Sequence, residues 1–314
     1  MDPTASLSQG PLGDRDYRWE DWSTLLPDYR RGSGRTHGIA VTEDDRVLVF
    51  RQADPAVLIF DTAGTLLDAW GDRFLGAHGL TLVQEDGQEL LWLTDEHSGE
   101  VVKTTLDGET LLNLGRPELA VYDEGAYAPT WVAVFEERFG GDGSVWVADG
   151  YGMNLVHHYD RAGKYLGSLD GTEGAGAFDC PHSVWVDTRR GESELYVADR
   201  GNRRLQVFHP DGRFKRVAGE GVLDCPCVGV AQGDELIVAE LCARLAVLDR
   251  DDQLLGYLGR NEAACALDGW PDLAQRHLRT DSFNSPHGIA AAADGSLYVV
   301  EWIVGGRFIK LART

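Results

Sequence analysis

A repeated pattern of short apolar phrases is the feature that most constrains how this chain can fold. One phrase consists of alternating apolar residues followed by an acid, and it occurs five times, as LWLTD (Leu91–Asp95), VWVAD (Val145–Asp149), LYVAD (Leu195–Asp199), LIVAE (Leu236–Glu240) and LYVVE (Leu297–Glu301). A sixth copy, VLVFR (Val47–Arg51), ends on a base instead. Apolar runs of this length, bounded by turn residues, are typical of short β-strands.

Each copy belongs to a longer unit with four strand-like runs. A run that most often begins with His-Gly precedes it, and two further runs follow after turns rich in Gly and Asp. The preceding runs start 41 to 60 residues apart, at His37, His78, Thr130, His182, Cys227 and His287. Four short strands per unit are the pattern of one β-propeller blade, so the sequence predicts an all-β, six-bladed propeller. The last unit lacks a fourth run, and we expect an N-terminal strand within Tyr17–Leu26 to supply it and close the ring.

Composition narrows the class of protein. The 314 residues include 51 acidic and 29 basic side chains, and the net charge of −22 argues against a nucleic-acid partner. The sequence has no apolar run long enough to span a membrane, and its first residues lack the pattern of a signal peptide. Together with five cysteines, an odd number, this favours a cytoplasmic protein. We also expect it to be a monomer with no membrane partner. Residues 1–14 are predicted to form a flexible tail and residues 15–314 a single domain.

The innermost strand of each blade lines the propeller channel, so the six starting residues are expected to meet there. Four of them are histidines. A structural imidazole bonded to the backbone accounts for any one of them, but four at one level favour a metal site. Three neutral imidazoles with an open position suit catalytic zinc. His37 and Cys227 are additional channel candidates, although a small buried hydrophobe is the preferred interpretation of Cys227.

Two cations and a phenol stand out near the acid positions. Arg51 replaces the acid in the first unit, Arg200 follows the acid of the fourth, and Tyr151 lies in the turn after Asp149. A guanidinium can bind a substrate carboxylate through two hydrogen bonds. A phenol beside a cation can have its pKa lowered, which predicts Tyr151 as a general base.

At these residues the chain resembles the peptidylglycine α-hydroxyglycine α-amidating lyases, which are NHL-repeat propellers. The resemblance runs from about Arg46 to Lys310 and is strongest in HGLTL…LLWLTDEHSGEVVK, APTWVAV…VWVADGYGMN and CPHSVWV…LYVADRGNRRLQVF. It implies a lyase that cleaves the N–C bond of a carbinolamide to a primary amide and glyoxylate. It also implies zinc ligands at His78, His182 and His287, and catalytic roles for Tyr151, Arg200 and Arg51.

The chain departs from this family at three positions. His37 is an extra imidazole, Gly152 stands where a disulfide cysteine is found, and Gly288 stands where the family carries an acid of a structural calcium site. Calcium is therefore a weaker expectation than zinc. The substrate is expected to be a peptide or a small molecule bearing a carboxylate.

Three alternatives remain open at this point. The same fold and metal can act on a small-molecule hemiaminal or a natural-product intermediate. The propeller can also be a non-enzymatic NHL binding scaffold. Other propeller enzymes, such as lactonases and antibiotic-linearising lyases, use carboxylate-rich or Asn-rich sites for calcium or magnesium, whereas this channel offers imidazoles.

Overall fold

The computed structural model describes residues 17–314 apart from residues 28 and 30, so the tail predicted for residues 1–14 lies outside the described residues. The described chain forms six four-stranded antiparallel sheets. They are arranged as a six-bladed β-propeller, which confirms the predicted fold.

The strands follow the chain blade by blade, from the channel outwards. Blade 1 has β2 (Thr36–Val41), β3 (Val47–Arg51), β4 (Val57–Phe60) and β5 (Leu66–Trp70). Blade 2 has β6 (Ala77–Glu85), β7 (Gln88–Asp95), β8 (Glu100–Thr105) and β9 (Thr110–Leu114). Blade 3 has β10 (Trp131–Val134), β11 (Val145–Asp149), β12 (Leu155–Tyr159) and β13 (Tyr165–Leu169).

Blades 4 to 6 continue the same order. Blade 4 has β14 (Pro181–Asp187), β15 (Glu194–Asp199), β16 (Arg204–Phe208) and β17 (Phe214–Ala218). Blade 5 has β18 (Pro226–Gln232), β19 (Glu235–Glu240), β20 (Arg244–Leu248) and β21 (Leu254–Leu258). Blade 6 has β22 (Pro286–Ala291), β23 (Leu297–Glu301) and β24 (Arg307–Arg313), and its fourth strand is β1 (Tyr17–Asp21).

The N-terminal strand closes the ring, as predicted. β1 pairs antiparallel with β24, in a register that runs from Tyr17 opposite Arg313 to Asp21 opposite Ile309. Trp22, just after β1, packs edge-on against Phe308, with ring centroids 5.5 Å apart. β1 therefore covers the outer edge of β24, and blade 6 has four strands like the other blades.

Burial explains why the repeat reads as apolar runs rather than as simple alternation. The second strands are covered on both faces by neighbouring blades, and every residue of β3, β11 and β23 is buried. The outermost strands face solvent; in β5, for example, the first three residues are exposed. The described helices are 3₁₀ turns of three to five residues, and none is long and apolar enough to cross a membrane.

A register shift at the start of the innermost strand positions the channel residues. In blades 1, 2, 4, 5 and 6 the pairing between the first and second strands shifts by at least one residue, and the shift falls at His37, His78, His182, Cys227 and His287. Such a β-bulge re-aims the side chain of the extra residue. The bulges therefore direct these side chains towards one another in the channel.

Candidate metal centre

Four buried imidazoles meet in the channel and form what we call the histidine cluster: His37, His78, His182 and His287. None is more than 1% exposed. Neighbouring rings have centroids 4.6 to 4.9 Å apart, and the three histidines predicted as zinc ligands form a nearly equilateral triangle with sides of 4.7, 4.8 and 4.9 Å. The structure therefore brings the predicted ligands together.

Hydrogen bonds between blades set the tautomer of three of these rings. Nδ1 of His78 lies 2.8 Å from the carbonyl oxygen of Thr130, in the next blade. The corresponding distances are 3.0 Å from His182 to Cys227 and 3.1 Å from His287 to His37. A carbonyl oxygen only accepts, so Nδ1 must carry the proton, and Nε2 of each ring is left with a lone pair. Metal-binding histidines in proteins are oriented in this way.

The glycines that follow His78 and His287 are required for steric reasons. A Cβ added to Gly79 would lie 2.4 Å from the Thr130 carbonyl oxygen, and one added to Gly288 would lie 2.4 Å from that of His37. These are the same oxygens that accept from His78 and His287. Glycine allows the neighbouring strand to approach closely enough for the imidazole to donate, so an acidic side chain at position 288 does not fit this backbone.

Two features of the cluster fit a bound cation. Burial lowers the pKa of His78 and His182 well below the usual value and that of His287 to about 3, so the rings are neutral, which is the form that binds metals. Nε2 of His182 lies 3.1 Å from Nε2 of His287, and both atoms are acceptors. Two lone pairs at this distance repel each other unless a positive charge lies between them.

The additional candidates also lie within the cluster. The donor atoms of His37, His78 and His287 lie within 4.8 Å of one another, as do those of His182, Cys227 and His287. Both ring nitrogens of His37 are buried and have no hydrogen-bond partner among the described residues. The Cys227 thiol is fully buried, and burial raises its pKa to about 12. The described residues thus offer more donors than the three predicted.

Tyr151 and Arg200 lie beside the histidine cluster, as predicted. The Tyr151 hydroxyl is 3.2 Å from Nε2 of His78, and Nη1 of Arg200 donates to that hydroxyl at 3.4 Å. Nη2 of Arg200 is 3.2 Å from Sγ of Cys180. Tyr151 as a whole is 37% exposed, although its hydroxyl is turned towards His78.

The protonation state of Tyr151 differs from the prediction. Arg200 was expected to hold the phenol partly ionised, and it does act to lower the pKa. Burial of the hydroxyl is the larger effect, however, and the pKa of Tyr151 is raised. Desolvation disfavours the phenolate more strongly than one neighbouring guanidinium favours it, so the phenol is neutral in this structure.

Arg51 contacts the backbone of its own blade. Its Nε donates to the carbonyl oxygen of Pro55, within the same blade, at 3.0 Å. The residue is 4% exposed and lines a small cavity at the junction of blades 1 and 6, together with Thr36 and Gly306. These contacts place Arg51 inside the scaffold of blade 1, and its predicted catalytic role stays a prediction.

The acids that end the second strands hold loops in place. Asp149 accepts from the backbone amides of Ala128 and Met153, both at 2.7 Å. Asp199 accepts from the amide of Asp179 at 2.9 Å. Both acids therefore hold a segment that leads into a channel strand, and Asp149 also holds the turn after its own strand.

The sequence did not predict a buried chain of hydrogen bonds that ends at Asp149, two residues before Tyr151. No role was predicted for His157, which is fully buried. Its Nε2 lies 2.6 Å from the Tyr122 hydroxyl, which donates to Asp149 at 2.6 Å. His157 pairs with Val147 as Gln206 pairs with Val197 in the next blade, and Gln206 is also fully buried. The sequence hides this equivalence, because the turn after Asp149 is one residue longer than the turn after Asp199.

The chain is similar at low identity to NHL repeat-containing proteins and to amidating monooxygenases. No protein-family profile matches it. NHL repeat-containing protein 3 of Mus musculus is 31% identical over 214 residues, covering 65% of this chain and 58% of that protein. Peptidyl-glycine alpha-amidating monooxygenase B of Xenopus laevis is 27% identical over 271 residues, covering 81% of this chain and 29% of that protein. The chain thus spans less than two thirds of either relative.

Solved structures show the same architecture. A gluconolactonase from Xanthomonas campestris superposes with a TM-score of 0.66 at 16% identity, covering 99% of this chain and 95% of that one. A streptogramin B lyase superposes with a TM-score of 0.63 at 13% identity, covering 95% and 98%. At these identities the likeness shows the propeller fold alone.

Proposed function

We propose that this protein is a zinc-dependent carbon–nitrogen lyase acting on a carbinolamide of the α-hydroxyglycine type, R–CO–NH–CH(OH)–COO⁻. The ligands are Nε2 atoms of His78, His182 and His287. Zinc bound there supplies Lewis acidity that makes the substrate hydroxyl easier to deprotonate. The observation that carries the proposal is the convergence of these three oriented, neutral imidazoles beside a phenol and a guanidinium.

The reaction moves one proton and breaks one bond. The hydroxyl proton leaves, the C–O bond becomes a carbonyl, and the N–C bond breaks with its electron pair going to nitrogen. Nitrogen then takes a proton, which gives the primary amide and glyoxylate. No oxidant, reductant or water is consumed, so the protein needs only a group that accepts a proton from oxygen and returns one to nitrogen.

Tyr151 is the group that we assign to this proton transfer. Its hydroxyl faces the histidine cluster, 3.2 Å from Nε2 of His78. Burial raises the pKa of Tyr151, and Arg200 acts in the opposite direction because its charge stabilises the phenolate. A cation at the cluster acts in the same direction as Arg200, because any nearby positive charge stabilises the phenolate.

Arg200 is the residue that we assign to the substrate carboxylate. A guanidinium has five N–H groups, and the contacts with Tyr151 and Cys180 are made by two different nitrogens. The remaining N–H groups can bind a carboxylate while Nη1 stays near the phenol. With this assignment, binding of the carboxylate needs only Arg200 and not Arg51.

Similarity to amidating monooxygenases supports this reaction class, and the same chemistry extends to a small-molecule hemiaminal. In either case the substrate has a hydroxyl and a nitrogen on one carbon. The alternative function is a non-enzymatic binding scaffold, because the name of the similar NHL repeat-containing protein 3 states no enzymatic activity. It requires neither zinc nor turnover.

The test is glyoxylate release from α-hydroxyhippurate by zinc-loaded protein purified without a His tag. We expect equimolar benzamide and glyoxylate, and one zinc per chain by elemental analysis. His182→Ala should lose both zinc and turnover, whereas His277→Ala, which changes an exposed histidine in the 3₁₀ turn Gln275–His277, should keep both. Wild-type zinc content in His182→Ala refutes the site. Zinc-loaded protein that releases no glyoxylate refutes the reaction.

A further inference from the structure

His37 is the member of the histidine cluster to which the proposed zinc site gives no role. Its ring centroid lies 4.8 Å from that of His78 and 4.6 Å from that of His287, and the centroids of His78 and His287 are themselves 4.8 Å apart. The donor atoms of these three residues all lie within 4.8 Å of one another. The residue is 1% exposed, so its ring meets the other imidazoles and not solvent.

The side chain of His37 differs from the other three in its hydrogen bonds. Nδ1 of His78, His182 and His287 each donates to a carbonyl oxygen of a neighbouring blade. Both ring nitrogens of His37 are buried, and neither has a hydrogen-bond partner among the described residues. A neutral imidazole has one lone pair and one N–H, and leaving them buried and unpaired costs free energy. A cation in the cluster supplies the partner that the lone pair lacks.

The backbone of His37 also contributes to the cluster. Its carbonyl oxygen accepts from Nδ1 of His287 at 3.1 Å, and this contact orients the ring of His287. The β-bulge between Thr36 and Gly38 turns the side chain of the same residue towards the channel. The strand that orients one proposed ligand therefore carries a further imidazole at the same level.

We propose that His37 is a fourth ligand of the zinc ion that the other three histidines of the cluster bind. This assignment rests on the zinc site proposed above but not on the lyase reaction. Four nitrogen ligands complete a tetrahedral zinc site, and zinc also accepts a fifth ligand, so a substrate can still reach the metal. His37 is the least constrained of the four ligands, because its ring lacks the hydrogen bond to a carbonyl oxygen that holds each of the others.

Cys227 is the competing donor for the fourth position. Its Sγ and the donor atoms of His182 and His287 lie within 4.8 Å of one another. The thiol has an acceptor of its own, however, because Sγ lies 3.8 Å from the carbonyl oxygen of Cys225. A buried imidazole without a partner has more to gain from a cation than a thiol that has one, so we assign the position to His37.

Cobalt(II), a paramagnetic substitute for zinc, gives a direct count of the imidazole ligands. The metal-free full-length protein is loaded with one equivalent of cobalt(II), and its proton NMR spectrum is recorded in H₂O and in D₂O. Each bound imidazole that keeps an N–H gives a strongly shifted signal that exchanges in D₂O. We expect four such signals in the wild type, one for each histidine of the cluster, and three in His37→Leu.

Zinc affinity, measured by competition with a chelator, tests the same ligand without spectroscopy. Loss of the hydrogen-bond partner of a metal-binding histidine weakens binding about 10- to 100-fold, so we expect loss of a ligand in His37→Leu to weaken it at least about 100-fold. The carbonyl oxygen that orients His287 is a backbone atom and is kept in this variant. Metal-free His37→Leu should unfold at a urea concentration no lower than the wild type, because the substitution removes two unpaired polar atoms.

His157→Leu is the matched control, because His157 is also fully buried but lies outside the histidine cluster. Its ring nitrogens lie 2.6 Å from the Tyr122 hydroxyl and 2.7 Å from the Ser168 hydroxyl. We expect this variant to lose stability in the metal-free form but to keep wild-type zinc affinity and all the shifted signals. The two substitutions therefore separate loss of a ligand from loss of a hydrogen-bonded buried imidazole.

Only three shifted signals in the wild type, or equal zinc affinity of wild-type and His37→Leu protein, overturns the proposal. A near-ultraviolet charge-transfer band, the signature of a cobalt–thiolate bond, assigns the fourth position to Cys227 and also overturns it. Four signals in protein that releases no glyoxylate support the ligand and refute only the reaction. Protein that binds neither cobalt nor zinc refutes the zinc site and the fourth ligand together.

Discussion

Replacing Gly288 by alanine tests whether the spacing between blades 6 and 1 orients His287. An added Cβ would lie 2.4 Å from the His37 carbonyl oxygen and 2.9 Å from Cγ2 of Val300. Since contacts of a Cβ shorter than 3.0 Å are essentially never found, the two strands must separate by about 0.6 Å or more. The oxygen that moves is the one that accepts from Nδ1 of His287 at 3.1 Å, so that hydrogen bond lengthens.

The expected cost combines two effects. Overpacking a close contact costs about 1–3 kcal/mol, and weakening a buried hydrogen bond costs about 0.5–1.5 kcal/mol, so Gly288→Ala should lower the free energy of unfolding by about 2–4 kcal/mol. Loss of the orienting carbonyl should also weaken zinc binding about 10- to 100-fold. Urea unfolding of metal-free protein measures the first change, and competition with a chelator measures the second.

Gly167→Ala is the matched control for this substitution. Gly167 lies in the outermost strand β13, and no atom outside its immediate neighbours lies within 4 Å of an added Cβ. We expect its unfolding free energy to stay within about 0.5 kcal/mol of the wild-type value and its zinc affinity to be unchanged. If Gly288→Ala is no more destabilised than Gly167→Ala, the steric explanation of the His-Gly phrase is wrong.

Three further substitutions and one control test other parts of the argument. Tyr151→Phe should keep zinc content and stability but lower kcat about 10²- to 10⁴-fold, as measured by glyoxylate release. Arg200→Met should raise KM for substrates that carry the carboxylate, and much less for the corresponding amide. Arg307→Met removes the buried partner 2.5 Å from Glu301 and should cost about 3–5 kcal/mol in urea unfolding, whereas Arg213→Met breaks an exposed pair and should cost about 0–1 kcal/mol.

The blade pattern was predictable because it depends on local sequence. Each strand is four to nine residues long, and its apolar character follows directly from burial between blades. The closing strand could also be expected, since a blade with three strands leaves an open sheet edge. Placing His37, His78, His182 and His287 in one channel then required only that equivalent positions of a propeller face the same axis.

Interactions between blades were not predictable in the same way. The pKa of Tyr151 depends on how deeply its hydroxyl is buried, which no spacing of residues reveals. The burial of His157 depends on Tyr122, a residue in a loop between blades 2 and 3. Each depends on a contact between segments whose relative positions the repeat does not encode.

The structural acids explain why the reactive side chains follow the repeat so closely. Asp149 fixes the amides of both Ala128, before a channel strand, and Met153, in the turn that contains Tyr151. Asp199 fixes the amide of Asp179 just before the strand of His182, while Arg200 is the next residue along the chain. A residue placed directly after such an acid is therefore held at the channel mouth by the same contacts that stabilise the blade. Blade 1 has Arg51 at the acid position, where its Nε donates to the carbonyl oxygen of Pro55, so Arg51 also helps to hold the turn after its own strand.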